Sequence, residues 1–296
     1  MRRDQAFIAA LPMAVKAPLM LRSDHEGLRH LLGHAGLIAV CGAWIGLGLP
    51  LWWALLPVQG VLIVFLFTLE HEATHKTPFA SEPLNEAVGR VCGFLLLLPF
   101  ENFRYFHLAH HRWTNIEGRD PELAGPKPEN WRDWALHVSG LPYWRGQIRQ
   151  IADHAAGRTK ASYLPRGARA RVQYEAQILL LGYGLVALSL LLTPLLFWIW
   201  LLPMVLGQPA LRLYLLAEHG DCPKVAEIFL NTRTTTTTAF LRFLAWNMPY
   251  HTEHHVFPAV PFYQLPRLHR LMRAELRVTA AGYRAFTAAY LRRRRP

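Results

Sequence analysis

Charged side chains leave two long gaps in this sequence. No Lys, Arg, Asp or Glu occurs from Leu31 to Leu69, nor from Ala176 to Leu211, two stretches of about 40 residues each. A membrane-spanning helix needs ~20 apolar residues, so each gap has room for two spans and a tight turn. Pro50 and Pro194 stand near the two midpoints, where a helix breaker is expected. The pattern predicts two helical hairpins, 31–49 with 51–69 and 176–193 with 195–216. A buried pair of soluble helices would keep charges on an outer face, and these gaps carry none. Between the hairpins, "AVGRVCGFLLLLPF" at 87–100 is apolar but too short to cross, and reads as an interfacial helix. Residues 1–30 read as a lead-in, 116–170 as surface helices and loops, and 262–295 as amphipathic helices. The threonine-rich run "NTRTTTTT" at 231–238 reads as a loop with helix-capping hydroxyls.

Composition adds orientation. The chain has 296 residues, 52% of them hydrophobic, and a formal net charge of +12. Of the 32 basic residues, five precede Leu31, fourteen lie between Glu70 and Glu175 and thirteen follow from Arg212 onward. The hairpin turns have none, so the positive-inside rule places both termini and the central loop in the cytoplasm. Topology accounts for the positive charge, which excludes nucleic-acid binding. The arginine tail Arg292–Arg295 is suited either to lipid phosphates or to plain solvation. The predicted fold is all-α: four transmembrane helices as two hairpins with a helical cytoplasmic cap. One domain is expected over 1–296, with hairpins 31–69 and 176–216, a cytoplasmic loop 70–175 and a cap 217–296. Cys41, Cys92 and Cys222 are scattered and imply neither a disulfide nor a CxxC metal site. No apolar segment with a cleavage site marks a signal peptide, so the first hairpin is expected to direct insertion.

The histidines carry the chemistry. Eight of the fifteen fall in three clusters: His71 and His75 in "HEATH", His107, His110 and His111 in "HLAHH", and His251, His254 and His255 in "HTEHH". Positions i, i+3 and i+4 share one helix face. At this histidine frequency about 0.04 HxxHH matches are expected by chance in the whole chain, and two are present. Imidazole suits iron and zinc alike. Eight ligands exceed one tetrahedral zinc and suit two metal ions with open positions. His219, after the last predicted span, falls at the depth of His75 and is a candidate ninth ligand. His25, His30, His34, His137, His154 and His269 stand alone and read as surface or satisfied histidines. HEATH also matches the HExxH zinc-hydrolase pattern with Glu72 as base, a reading that leaves six clustered histidines unexplained.

Four spans and three histidine boxes together resemble the integral-membrane fatty acid desaturase superfamily, over roughly residues 31–270. The context is similar as well: "GRDPEL" follows the second box, and "NMPYHTEHHVFPAVPFYQLPRLH" surrounds the third. The resemblance implies a non-haem di-iron centre, two Fe ions held by His71, His75, His107, His110, His111, His219, His251, His254 and His255. It implies O2-dependent hydrogen abstraction from a lipid chain. Zinc is redox-inert and does not supply that chemistry. Some relatives have an Asn four residues before the extra histidine. Here that position is Leu215, with Asn247 a weak substitute.

Glu72, Glu253, Glu101 and Asp120 are candidates to fix the imidazole tautomers, although Glu253, two residues from His251, points off the histidine face. Phe103, Phe106, Trp113 and Tyr250 are candidates to line an acyl tunnel, and Arg104 and Arg112 to meet a headgroup. The expected function is an O2-dependent di-iron lipid desaturase, with hydroxylase, carotenoid-type ketolase or oxygenase, and membrane zinc hydrolase as alternatives. A separate electron donor is implied, a ferredoxin, rubredoxin or cytochrome b5-like protein, because three scattered cysteines make no iron–sulfur site.

Overall fold

The computed structural model describes residues 2–125 and 127–294. Helices dominate, and the one sheet among the described residues is a parallel pair of two-residue strands, Thr234–Thr235 beside Thr279–Ala280. The last member of the arginine tail, Arg295, lies outside the described residues.

The first charge-free gap folds as a helix pair, each helix overrunning one end of the gap. The helix Asp24–Gly46 begins where Ser23 accepts a hydrogen bond from the Glu26 amide, the standard N-cap arrangement. Gly48 and Leu51, both at positive φ, turn the chain around Pro50. The returning helix Trp52–Thr74 runs on past the gap and takes His71 with it. The second gap is filled by Arg169–Ser189 and by Phe197–His219, whose first turn is π-helical. By length and apolarity, Asp24–Gly46, Trp52–Thr74 and Phe197–His219 can each cross a membrane. Arg169–Ser189 falls short of that measure because its first half carries Gln173, Glu175 and Gln177. Its tip is nonetheless lipid-like: Leu191 and Leu192 are 82% and 90% exposed, a bare apolar end that water disfavours.

The interfacial segment is displaced from its expected limits. The helix is Glu82–Leu96, and it breaks at Leu97, which takes φ 56° without being glycine. After Pro99 the chain restarts as Phe100–Trp113, bent by 100° from its predecessor. The bend needs a close approach, since a Cβ on Gly93 would lie 2.6 Å from the Leu98 carbonyl oxygen. Taken together this bent pair also passes the apolarity test, which would make four spans instead of three.

One crossing sets the depth of the site. Gly60 in Trp52–Thr74 and Gly207 in Phe197–His219 meet backbone to backbone. A Cβ on Gly60 would lie 2.1 Å from the Pro203 oxygen, and one on Gly207 2.2 Å from the Gly60 carbonyl carbon. From this contact to His71 is eleven residues and to His219 twelve, about 17 and 18 Å at 1.5 Å per residue. Both helices therefore deliver their histidines to one level.

Candidate metal centre

All nine candidate histidines converge. His71, His75, His107, His111 and His254 form one group, and His110, His219, His251 and His255 a second. Within each group the ligand-capable atoms lie within 4.8 Å of one another. The faces explain the partition. On Phe100–Trp113, His107 and His111 are one turn apart and face the first group, while His110 faces the second. The short helix His251–Val256 divides the same way, His254 to the first group and His251 and His255 to the second. The groups touch through His111 and His255, whose rings stack at 4.0 Å with 4° between their planes.

The surroundings fix which nitrogen faces inward. His110 Nδ1 donates to Asp120, 3.0 and 3.1 Å from its two oxygens. His219 Nδ1 donates to the Asn231 carbonyl at 3.0 Å. Both Nε2 atoms then present bare lone pairs, yet they stand 3.2 Å apart. His219 and His251 Nε2 are 3.1 Å apart, as are His251 and His255 Nε2, and His75 and His107 Nε2 are 2.8 Å apart. Both nitrogens of His71 and of His254, and Nε2 of His111, are buried without a hydrogen-bond partner. Unpartnered buried nitrogens are costly, and facing lone pairs repel. A cation in each group relieves both, so the donor set fits two metal ions. Burial, reinforced by the neighbouring imidazoles, holds His251, His254 and His255 well below the usual histidine range, so they are neutral and free to ligate.

The supporting acids sort differently from the sequence reading. Asp120 also accepts from the Asn115 amide at 2.7 Å and the Glu122 amide at 2.9 Å. Burial alone would raise its carboxyl. The contact with His110 and these amides outweigh burial and hold it below the usual aspartate range. Glu72 Oε1 lies 3.4 Å from His254 Nδ1, and its other oxygen accepts from the Phe262 amide and the Thr77 hydroxyl. Glu72 is thus tied to the protein, which disfavours a free base in an HExxH hydrolase. Glu253 turns away from the metal-facing imidazoles, as its register predicts, and holds His269 and Thr234. Glu101 touches no histidine. It is ion-paired to Arg171 at 2.7 Å and Arg90 at 3.4 Å.

Three supports were not legible in the sequence. Glu218 Oε1 lies 3.4 Å from His251 Nδ1, Asn231 anchors His219, and Thr114 meets His255 Nδ1 at 3.2 Å. The first was signalled only by its place beside His219. The threonine run is more structural than a capping loop. Thr234 and Thr235 are buried strand residues, while Thr238 does cap Ala239–Leu244.

A cavity of about 820 Å³ reaches His71, His107, His110 and His251. Phe103, Phe106 and Leu215 line it, with Phe67 and Tyr143. Trp113 does not; it lines a smaller pocket behind His111. Tyr250 does not either, because it stacks on His269 at 4.6 Å. Arg104 is engaged with Glu86 and lies over Phe100 at 4.5 Å, which removes it as a headgroup contact. Asn247 donates to the Phe262 carbonyl and stands outside the centre. Among the isolated histidines, His34 is a satisfied core residue, bonded to the Leu62 carbonyl and the Trp246 indole. His30 contacts the Phe243 carbonyl at 2.8 Å, and His137 lines the cavity.

The family model described as fatty acid desaturase matches residues 19–287. The chain is similar to an sn-1 oleoyl-lipid 12-desaturase of Arthrospira platensis, 23% identical over 75% of this chain and 69% of that one. It is similar to a mouse sphingolipid delta(4)-desaturase/C4-monooxygenase, 26% identical over 91% of this chain and 80% of that one. A match to an sn-1 oleoyl-lipid 12-desaturase of a Picosynechococcus strain is 29% identical over 35% of this chain and 30% of its relative.

Proposed function

The chain belongs to the fatty acid desaturase family, membrane oxidoreductases of lipid metabolism, and from that premise we propose that it is an O2-dependent di-iron desaturase of an acyl or similar alkyl chain. The observation that carries the reading is the pair of histidine groups at the end of a largely apolar cavity. The five-histidine group would hold one iron and the four-histidine group the other. When bound, the irons supply the oxidising power that removes hydrogen from an unactivated C–H bond. The protein's part is placement. Asp120 and Asn231 hold His110 and His219 in the tautomer that leaves Nε2 free. Phe67, Phe103, Phe106 and Leu215 supply an apolar wall against which a hydrocarbon chain loses its water shell. The chain would act as one membrane domain, with both termini and the metal centre on the cytoplasmic side, and would take electrons from a separate carrier.

Elemental analysis of the detergent-purified, iron-reconstituted protein tests the core of this. Two irons per chain are expected, lost in H254A/H255A. Zinc retained in place of iron after reconstitution supports the hydrolase reading, and the absence of any metal refutes the centre. A second reading, hydroxylation, is favoured by the mouse relative, whose name couples a desaturase with a monooxygenase. Mass spectrometry of the product separates them, by loss of two hydrogens or gain of one oxygen.

A further inference from the structure

The smaller pocket, about 230 Å³, opens behind the metal centre and is lined by Arg2, His111, Arg112, Trp113, Arg119 and neighbouring apolar residues. Arg112 and Arg119 are exposed. Their guanidinium carbons lie 5.3 and 4.5 Å from the centroid of the Trp113 ring. Of the nearby acids, Asp4 pairs with Arg2 at 3.3 Å, Glu117 pairs with Lys224, and Glu227 accepts from the Arg3 backbone amide at 3.3 Å. Among the described residues, Arg112 and Arg119 pair with no carboxylate.

The floor of this pocket is the metal centre itself. His111 is half-buried and belongs to the five-histidine group. Its ring stacks on His255 of the other group. Thr114, also in the pocket wall, donates to the His110 carbonyl at 2.9 Å and meets His255 Nδ1. From the surface, one residue's thickness thus reaches both groups. Electron transfer slows steeply with distance, so this is a favourable place for an electron to enter.

We infer that the Arg112–Trp113–Arg119 surface is the docking site of an acidic one-electron carrier protein, which reduces the centre through His111. The inference rests on the oxidoreductase reading above. Each encounter oxidises the carrier by one electron and reduces one iron. Two such electrons, two protons, one O2 and two hydrogens of the alkyl chain balance as an alkene and two waters. Two unpaired cations beside an aromatic suit the small, charge-steered interfaces of redox partners.

The test measures binding and reduction on the same preparations. Oxidised plant-type ferredoxin and oxidised cytochrome b5 are titrated against the protein in nanodiscs of uncharged lipid, with and without iron, over a range of salt. Binding to at least one carrier is expected to weaken with salt and to fall about tenfold in R112E/R119E, with R112Q/R119Q between. In a second arm the same carrier is supplied pre-reduced: its reduction of the iron falls in step, whereas reduction by reduced methyl viologen, a small cation that needs no docking, is not slowed. Equal binding by wild type and R112E/R119E overturns the site. So does failure of wild type to bind either carrier, or viologen reduction slowed along with the carrier. A variant that loses only its affinity for anionic vesicles assigns the arginines to lipid headgroups and also overturns it. Carrier binding to a protein with no reducible iron leaves the docking surface standing and refutes the iron chemistry instead.

Discussion

Replacing Asp120 by asparagine tests whether second-sphere hydrogen bonds hold the metal centre. The carboxylate is 4% exposed and accepts from His110 Nδ1 and from two backbone amides. Asn keeps one acceptor oxygen and turns an NH2 toward donors. At about 1.5–3 kcal/mol for a hydrogen bond to a charged group, part of which the remaining oxygen retains, D120N is expected to cost roughly 2–4 kcal/mol of stability. Freed from its partner, His110 loses its tautomer preference, and metal affinity is expected to drop about 10–100-fold. The loss is specific to the four-histidine group. Chelator competition followed by elemental analysis should therefore leave one ion per chain where wild type keeps two. Glu101→Gln is the control, a carboxylate just as buried but bonded to Arg171 and Arg90. E101Q should lower the thermal midpoint and keep both ions. Equal metal loss in D120N and E101Q, or none in D120N, would refute the reasoning.

Further outcomes follow from other positions. Gly60→Ala puts a methyl 2.1 Å from the Pro203 oxygen and should cost about 1–3 kcal/mol together with bound metal. Gly36→Ala, with open space around it, should be neutral or stabilising by up to about 1 kcal/mol; thermal unfolding in detergent reads both. Leu215→Trp fills the cavity beside the four-histidine group, so conversion should shift toward shorter chains at unchanged metal content, read by mass spectrometry of products from a chain-length series. Trp246→Phe removes the indole donor to the fully buried His34 and should cost about 1–3 kcal/mol without altering metal content.

Eight of the nine histidines were legible because their spacing is a helix-face signal, and helices of any length project i, i+3 and i+4 to one side; His219 was legible only from its place after the last predicted span. Their supports were not. Asn231 ends the one-turn helix Ile228–Asn231 and Thr114 caps Phe100–Trp113, and neither belongs to a repeated spacing that would mark it as facing the centre. Trp113 and Tyr250 were misplaced because proximity to a histidine in sequence says nothing about which side of the helix faces the cavity. The charge gaps located both helix pairs but not their ends: Asp24–Gly46 and Arg169–Ser189 each begin seven residues before their gap, where polar side chains still fit a helix. The break at Leu97 had no glycine to announce it.

The contact between Gly60 and Gly207 has a consequence for how a chain enters. Two helices joined backbone to backbone have no side chains to repack, so sliding or parting them means losing the contact outright. They behave as one stiff rib along one wall of the cavity. The facing wall is built from segments between Pro121 and Gln150, including the helices Trp131–Val138 and Leu141–Ala155, which meet the rib through side chains, Gly140 against Gln208 and Tyr143 under Arg212. Any breathing that admits a hydrocarbon tail and lets the product leave falls on that softer side, and the spacing of the imidazoles is insulated from it.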